Sequence, residues 1–237
     1  MGLSHSPRIV TDGLVFCVDA ANPRSYPGAG TTWTDLTANK NNGTLTNMTD
    51  NFSTDGGGSL TFDGNDDYVD FNPVTFPSTY PYSMCCWFRS NDTSDTRRTF
   101  FTFGNTGDDN YFILIGLTRY TTDGPYVRFG VRSGNGGVTS NGQGTINVQD
   151  GKWHEAILVA TAKDDFKFYT DGILDVTDTT DLLDNTFTMN TQAIGRLERS
   201  SPEQYYIGNV AIARFYNRAL TTEEIQQNYN ATKWRFQ

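Results

Sequence analysis

The fold of this chain is decided near its end, by the stretch YIGNVAIARFYNRAL at residues 206–220 and the TTEEI that follows at residues 221–225. β-Branched and aromatic residues dominate the first stretch, which predicts a β-strand. The second stretch has the pattern of a capping box, in which the hydroxyl of Thr221 and the carboxylate of Glu224 bond each other's free backbone amides. The sequence therefore predicts a strand that leads into a closing helix at about residues 221–230.

The composition indicates many short strands joined by turns. The 237 residues include 23 glycines, Asn, Asp and Thr are abundant, and no second helical pattern is present. A chain of this length can bury one large core. We therefore expect an all-β, two-sheet antiparallel sandwich in which residues 1–237 form one domain, with the early strands from about residue 9.

Charge and hydropathy argue against two classes of partner. The formal net charge is −9 and no basic stripe is present, so nucleic acid is not an expected partner. No apolar run approaches the roughly 18 to 20 residues that cross a bilayer, and the first residues lack the pattern of a signal peptide. MGLSHS at residues 1–6 matches a myristoylation pattern, but no second membrane signal accompanies it, so we interpret the match as coincidence and expect no membrane partner.

Turn and cysteine patterns give further expectations. The polar, glycine-rich segment from Ser133 to Thr145 is predicted to be an exposed loop that carries contacts. Asp171-Gly172 predicts a tight hairpin, because glycine tolerates the positive φ of primed turns. Cys85 and Cys86 point to opposite faces of one strand. Together with Cys17 they are expected to be buried and reduced, without a disulfide framework.

Four segments in order resemble the laminin-G-like and pentraxin-like jelly roll, the concanavalin A-type sandwich. They are GSLTFDGNDDYV at residues 58–69, YSMCCWF at 82–88, the strand that begins WHE at 153–155, and FKFYTDG at 166–172. The closing stretch at residues 206–225 completes the resemblance. It implies a two-sheet jelly roll with a short C-terminal helix, a fold that lectins and glucanases share.

The two ends of the chain resemble versions of this domain in tailed-phage virion proteins. The opening residues are IVTDGLV at 9–15 and WTDL at 33–36, and the closing residues are NRAL at 217–220 and QNYNA at 227–231. This resemblance implies a decoration or accessory protein on the exterior of a capsid or tail, made in the host cytoplasm. Its expected partners are other virion proteins, further copies of itself in a homo-oligomer, and glycans of the host surface.

A hydrolase is one function that this fold allows, because glucanases share the sandwich. Glycoside hydrolysis needs two carboxylates across a cleft, and the Glu-x-Asp-x-x-Glu strand of the glucanase branch is missing from this sequence. Glu155 is expected to be a carboxylate at an edge or rim, with acid catalysis as the alternative. His154 belongs to a Trp-His pair common in this hairpin of the family, which favours a structural role over a catalytic one. We therefore expect no enzyme activity.

Calcium is the one cofactor that the resemblance raises. Asp109 and Asn110 match an Asp-Asn pair of the pentraxin pattern, and Glu198 is the carboxylate left in the matching acidic cluster. Two arginines flank Glu198 and would repel the ion, and calcium needs several oxygen ligands. We therefore expect these three residues to form turns without a bound cofactor. The rival cluster Asp63, Asp66 and Asp67 is interpreted as a β-turn.

The tryptophans and tyrosines divide into core and contact residues. Trp87 and Trp153 lie in strand patterns and are predicted to be core, and Trp33 is predicted to plug the edge of the sandwich. Tyr205 and Tyr206, with Arg199 nearby, are the candidate binding or interface residues, because tyrosine offers a large rigid contact with a polar tip.

Three functions follow from these observations, in descending order of support. The first is a non-enzymatic virion structural protein, and the alternative is a carbohydrate-binding, lectin-like adhesion module. A glycoside hydrolase comes last.

Overall fold

The computed structural model describes residues 7–71, 76, 78–134, 139–182 and 188–237. In chain order the strands of these residues are β1 (Leu14–Asp19), β2 (Thr32–Trp33), β3 (Gly43–Thr46), β4 (Phe52–Ser53), β5 (Ser59–Asp63), β6 (Tyr68–Phe71), β7 (Tyr82–Arg89), β8 (Arg98–Gly104), β9 (Tyr111–Leu117), β10 (Val127–Ser133), β11 (Thr139–Ser140), β12 (Trp153–Ala162), β13 (Asp165–Thr170), β14 (Ile173–Asp178), β15 (Thr191–Ile194) and β16 (Ile207–Tyr216). The helix α1 spans Thr222–Thr232, and short 3-10 turns span Asp55–Gly57 and Lys233–Arg235. Residues 1–6, which hold the myristoylation pattern, lie outside the described residues.

The strands form two antiparallel sheets. Sheet A has the order β14-β13-β12-β7-β16-β5-β4, and β1 also pairs with β16. Sheet B has the order β11-β10-β9-β8-β15-β6-β3-β2. The expected all-β sandwich with a short C-terminal helix is confirmed.

Phenylalanines from both sheets meet in the core between them. Phe88 of sheet A stacks on Phe100 of sheet B with 4.3 Å between ring centroids, and Phe215 lies 4.6 Å from Phe103. Such aromatic pairs bury a large apolar area, which is the main term that holds two sheets together. Trp33 on the edge strand β2 is fully buried, as expected of a residue that plugs the edge of the sandwich.

The closing helix covers the outer face of sheet A. Trp87 stacks against Tyr229 of α1, with 5.6 Å between ring centroids, and against Phe236 at 4.1 Å. Its indole N–H donates to Thr232 Oγ1 at 3.0 Å. Trp87 is therefore core, as predicted, whereas Trp153 is only partly buried and packs against Phe236.

The local turn and capping predictions are confirmed. Glu224 N donates to Thr221 Oγ1 at 3.3 Å and Thr221 N donates to Glu224 Oε2 at 2.9 Å, which is the predicted capping box. Asp171 and Gly172 join β13 to β14 with φ values of 53° and 76°. Both values lie in the left-handed region that the primed hairpin turn requires.

The prediction of an exposed loop from Ser133 to Thr145 is wrong for most of the segment that the structure describes. Thr139 and Ser140 form β11 on β10, Phe129 N donates to Gly142 O at 2.9 Å, and Gly144 N donates to Val127 O at 2.8 Å. A Cβ on Gly142 would lie 2.0 Å from the Phe129 ring. The glycines therefore serve close packing along the edge of sheet B, and residues 135–138 lie outside the described part.

All three cysteines are buried and unpaired, as expected. Burial raises the pKa of the Cys17 thiol to about 11, which keeps it protonated and unreactive at neutral pH. In the part of the chain that the structure describes, no helix is both long enough and apolar enough to cross a membrane.

Candidate functional site

The three predicted calcium ligands have protein partners of their own. Ser200 Oγ donates to Asp109 Oδ1 at 2.7 Å, and Asn110 Nδ2 donates to Asp108 Oδ1 at 2.7 Å. Glu198 is buried and accepts from Arg196 Nε at 2.7 Å. Burial raises the pKa of Glu198, and the charge of Arg196 acts against that rise. These contacts suit turn residues, and the expectation that this set binds no calcium stays a prediction.

The rival carboxylates Asp63, Asp66 and Asp67 converge between β5 and β6. Each offers a carboxylate oxygen within 4.8 Å of the others. Asp67 Oδ2 accepts from Asp63 N at 3.1 Å and from Asn51 Nδ2 at 2.9 Å, and Asp63 Oδ1 accepts from Asn65 N at 2.8 Å. These bonds close the turn, which agrees with its interpretation as a β-turn.

The predicted interface residues differ in accessibility. Tyr206 is fully buried and donates its hydroxyl to Arg89 O at 2.8 Å, so the prediction that it forms a surface contact is wrong. Sequence could not reveal this, because Tyr205 and Tyr206 are neighbours of the same type. Tyr205 is partly exposed, and Arg199 pairs with Glu203 at 2.9 Å. For Tyr205 and Arg199 the interface role stays a prediction.

His154 is held by two carboxylates. Its Nδ1 lies 2.8 Å from Asp171 Oδ2 and its Nε2 lies 3.2 Å from Asp150 Oδ1. Burial alone would lower the pKa of His154, but the hydrogen bonds and charges of the two aspartates outweigh it, so the pKa is raised. Both ring nitrogens are occupied, which agrees with the structural role that the sequence favours.

Glu155 lies beneath the closing helix rather than at an edge or rim, which corrects the prediction for this residue. It is fully buried on β12, a strand that lies between β13 and β7 in sheet A. Its Oε1 lies 3.6 Å from Nη1 of Arg214 on β16. Burial raises the pKa of Glu155 to about 7, although the charge of Arg214 acts in the opposite direction. A buried carboxyl with a shifted pKa is often functional. Glu155, however, has no exposed surface through which it could contact a ligand.

One candidate for a binding site is a cleft of about 730 Å³ beside the C-terminal turn, which we call the Trp234 cleft. Trp234 is 64% exposed, an unusual state for a tryptophan. Asp19, Asn22 and Arg235 line the same cleft. An exposed aromatic face surrounded by hydrogen-bonding groups is suited to a ligand with an apolar face and a polar edge.

The polar lining of the Trp234 cleft is positioned by ion pairing. Arg235 Nη1 contacts both carboxylate oxygens of Asp19, at 3.0 and 2.9 Å, and Arg235 Nε donates to Gly56 O at 3.1 Å. Among the described residues, Arg235 Nη2 is buried without a hydrogen-bond partner. Sequence reasoning assigned no role to Trp234. Its position after a helix in a stretch with few apolar neighbours is the only signal in the sequence.

Comparison with known families settles the classification. The Laminin_G_3 family, described as the concanavalin A-like lectin/glucanases superfamily, matches residues 63–226. The chain belongs to this family. No curated protein sequence matches the chain.

Solved structures of the same fold include domain 4 of AbnA, a GH43 extracellular arabinanase from Geobacillus stearothermophilus, in complex with arabinotriose. It is 19% identical with a TM-score of 0.67, and the match covers 92% of this chain and 98% of that domain. The binding domain of Paraclostridial Mosquitocidal Protein 1 is 14% identical with a TM-score of 0.68, over 92% of this chain and 52% of that one. Trypanosoma rangeli sialidase in complex with sialic acid is 16% identical with a TM-score of 0.67, over 98% of this chain and 36% of the sialidase. The chain thus spans about half the length of the mosquitocidal binding domain and about a third of the sialidase. At these identities the likeness concerns the fold alone.

Proposed function

We propose that this chain is a non-enzymatic glycan-binding protein carried on the exterior of a tailed-phage particle. The observation that carries the binding part is the Trp234 cleft, where an indole that is 64% exposed lies beside polar groups. The face of an indole stacks on the apolar face of a sugar ring, while Asn22 and the Asp19–Arg235 pair are placed to bond its hydroxyls.

The related structures support this choice without deciding it, because one fold hosts many functions. One is bound to arabinotriose and another is the binding domain of Paraclostridial Mosquitocidal Protein 1. The non-enzymatic part is supported by the carboxylates of this chain. Glu155 is fully buried and Glu198 is paired with Arg196, so neither is placed to act as an acid or nucleophile on a saccharide.

The virion part is supported by the segments at the two ends of the chain that resemble tailed-phage proteins. A net charge of −9 suits an exposed particle surface, because like charge limits aggregation. Attachment through Tyr205 and Arg199 in a homo-oligomer is part of the proposal. Mass spectrometry of purified particles tests whether the chain is a component of the virion. Its absence from particles would contradict the virion part of the proposal and leave the binding part untouched.

The binding part is tested by screening arrays of bacterial-surface glycans and arabinotriose, each with calcium and with EDTA. We expect binding that Trp234→Ala weakens by about thirtyfold, the effect of losing a contact of about 2 kcal/mol. The control Ile173→Ala removes a side chain that is also exposed, at 62%, on edge strand β14, and should leave binding unchanged. Loss of binding in both variants, or in neither, contradicts the assignment, and release of reducing sugar contradicts the non-enzymatic part.

A further inference from the structure

The outer face of sheet B contains a buried arginine that the fold does not neutralise. Arg128 lies on β10, where Val127, Phe129 and Val131 all belong to the core between the sheets. Because side chains alternate along a strand, Arg128 points to the opposite face. It is nevertheless only 7% exposed.

The contacts of Arg128 leave part of its guanidinium group unused. Nη2 donates to Gln204 Oε1, a neutral acceptor. Among the described residues Nε has no hydrogen-bond partner, and Arg128 forms no salt bridge. Burial of a charge without a countercharge is costly. Burial and the charge of Arg97 lower the pKa of Arg128 to about 9, although Asp123 and Glu203 act in the opposite direction.

A cavity of about 70 Å³ opens beside this guanidinium, and we call it the Arg128 cavity. Its lining includes Arg97, Asp123, Asn141 and Gln143. Arg97 Nε is also buried without a hydrogen-bond partner in the part of the chain that is described, and its nearest carboxylate oxygen, Asp123 Oδ2, is 3.8 Å away. The lining thus holds two guanidinium groups and one carboxylate, which makes the cavity locally positive in a chain of net charge −9.

The size and the donors of the cavity define the missing group. One water occupies about 30 Å³ of liquid, so a cavity of about 70 Å³ holds a group of a few heavy atoms. A carboxylate has this size, and its planar pair of oxygens matches the planar donor fork of a guanidinium. A neutral sugar hydroxyl would leave the charge of Arg128 uncompensated.

We propose that the Arg128 cavity is a subsite for the carboxylate of an acidic saccharide, such as a uronic acid residue, and that Arg128 and Arg97 recognise it. The amides of Asn141 and Gln143, both exposed, are placed to contact the ring hydroxyls next to the carboxylate. The proposal rests on the glycan-binding function proposed above and adds acidic saccharides to its ligands, at a second site. The Arg128 cavity is on sheet B, whereas the Trp234 cleft adjoins the helix that covers sheet A, so the two sites can fail separately.

The test compares trigalacturonate with its neutral counterpart, a galactose trisaccharide, by isothermal titration calorimetry. We expect the acidic trisaccharide to bind about ten- to a hundredfold more tightly, the usual effect of one or two charge-assisted hydrogen bonds. Arg128→Met and Arg97→Gln should each reduce that preference by about tenfold or more. The matched control Arg8→Gln removes the same charge from an exposed position far along the chain, and it should leave the preference unchanged.

The outcomes separate this subsite from the function on which it rests. Equal affinity for the two trisaccharides, or a preference that survives both arginine substitutions, overturns the subsite. If Trp234→Ala still weakens neutral glycan binding in that case, the proposed function stands. Competition by inorganic sulfate without any preference for trigalacturonate identifies a nonspecific anion site and also overturns the proposal. Arg97→Gln keeps the test decisive if Arg128→Met fails to fold, because the Arg97 side chain is 42% exposed.

Discussion

The outer faces of the two sheets each bury an arginine, and they treat its charge in opposite ways. On sheet A, Arg214 is 2% exposed and has a carboxylate partner, with Glu155 Oε1 3.6 Å from its Nη1. On sheet B, Arg128 is 7% exposed and donates to the neutral amide of Gln204, and no described carboxylate pairs with it. A fold can keep a buried charge by supplying the opposite charge from within. Where it does not, the charge can be neutralised by a ligand.

The chain segments that pack over the two outer faces explain why the two arginines differ. Sheet A is sealed by α1, whose Ile225 is buried among apolar side chains of the sheet. Sheet B is covered by a chain segment after β15, in which Leu197 packs on Phe112 and Leu114. A Cβ on Gly104 would lie 1.8 Å from Glu198 O, so this segment touches the sheet closely at that end. At the other end the segment reaches Arg128 through Gln204, and a small polar cavity remains beside the guanidinium.

The largest expected effect tests the seal on sheet A. Trp87→Ala should reduce the free energy of unfolding by about 3 to 5 kcal/mol, because it removes the ring that stacks on Tyr229 and Phe236. That is a large part of the roughly 5 to 15 kcal/mol that stabilises a domain. Urea unfolding measures this loss of free energy. Trp153→Ala should lose less, because Trp153 is partly exposed. Soluble Trp87→Ala protein of wild-type stability would show that α1 contributes little to the core.

The next effect compares the two arginines directly. Arg214→Met should reduce the free energy of unfolding by about 3 kcal/mol, since it leaves Glu155 buried without its countercharge. Arg128→Met removes a buried charge that has no carboxylate partner, so its stability should stay within about 1 kcal/mol of wild type or increase. Urea unfolding of both variants in one buffer above pH 7, where Glu155 is ionised, gives the comparison. Equal losses would mean that the interior compensates Arg128 as well as it does Arg214.

The last effect is the pH dependence of the sealed face, and it develops gradually over several pH units. The pKa of Glu155 is raised by burial from 4.5 to about 7, so between these values the folded protein keeps a proton that the unfolded chain has lost. The free energy of unfolding therefore falls as pH rises across this range and levels off above it. The raised pKa of His154 acts in the same direction, because its contribution is present below the unfolded value of 6.5 and is lost as pH rises through the folded value.

Unfolding free energies measured at pH 5, 6, 7 and 8 separate the two groups. Glu155→Gln should flatten the decline between about pH 5 and 7, and His154→Gln should flatten the part at higher pH. An unchanged slope in Glu155→Gln would place the titration elsewhere. The carboxyl of Asp150 does not interfere, because its pKa is lowered to about 2, where the bonds from Lys152 and His154 outweigh the opposing effect of burial.

The sequence alone determined the features that depend on neighbouring residues. Three such features are the alternation along the strands, the capping box of Thr221 and Glu224, and the Asp171-Gly172 turn. Each depends on residues that are close together in the sequence, so local sequence patterns predict it. The identification of an all-β sandwich followed from such patterns. The buried, unpaired state of the cysteines was predicted for the same reason.

Only the tertiary structure decided which polar groups meet. Glu155 and Arg214 lie on different strands of sheet A, and the strand register and α1 together make them a buried pair. Tyr206, unlike Tyr205, faces the core, and the segment from Ser133 to Thr145 packs on a sheet edge instead of lying free. The Arg128 cavity was equally hidden, because Arg97, Asp123 and Arg128 come from different segments. Burial and countercharge are set by contacts between distant segments, and local patterns carry no information about those contacts.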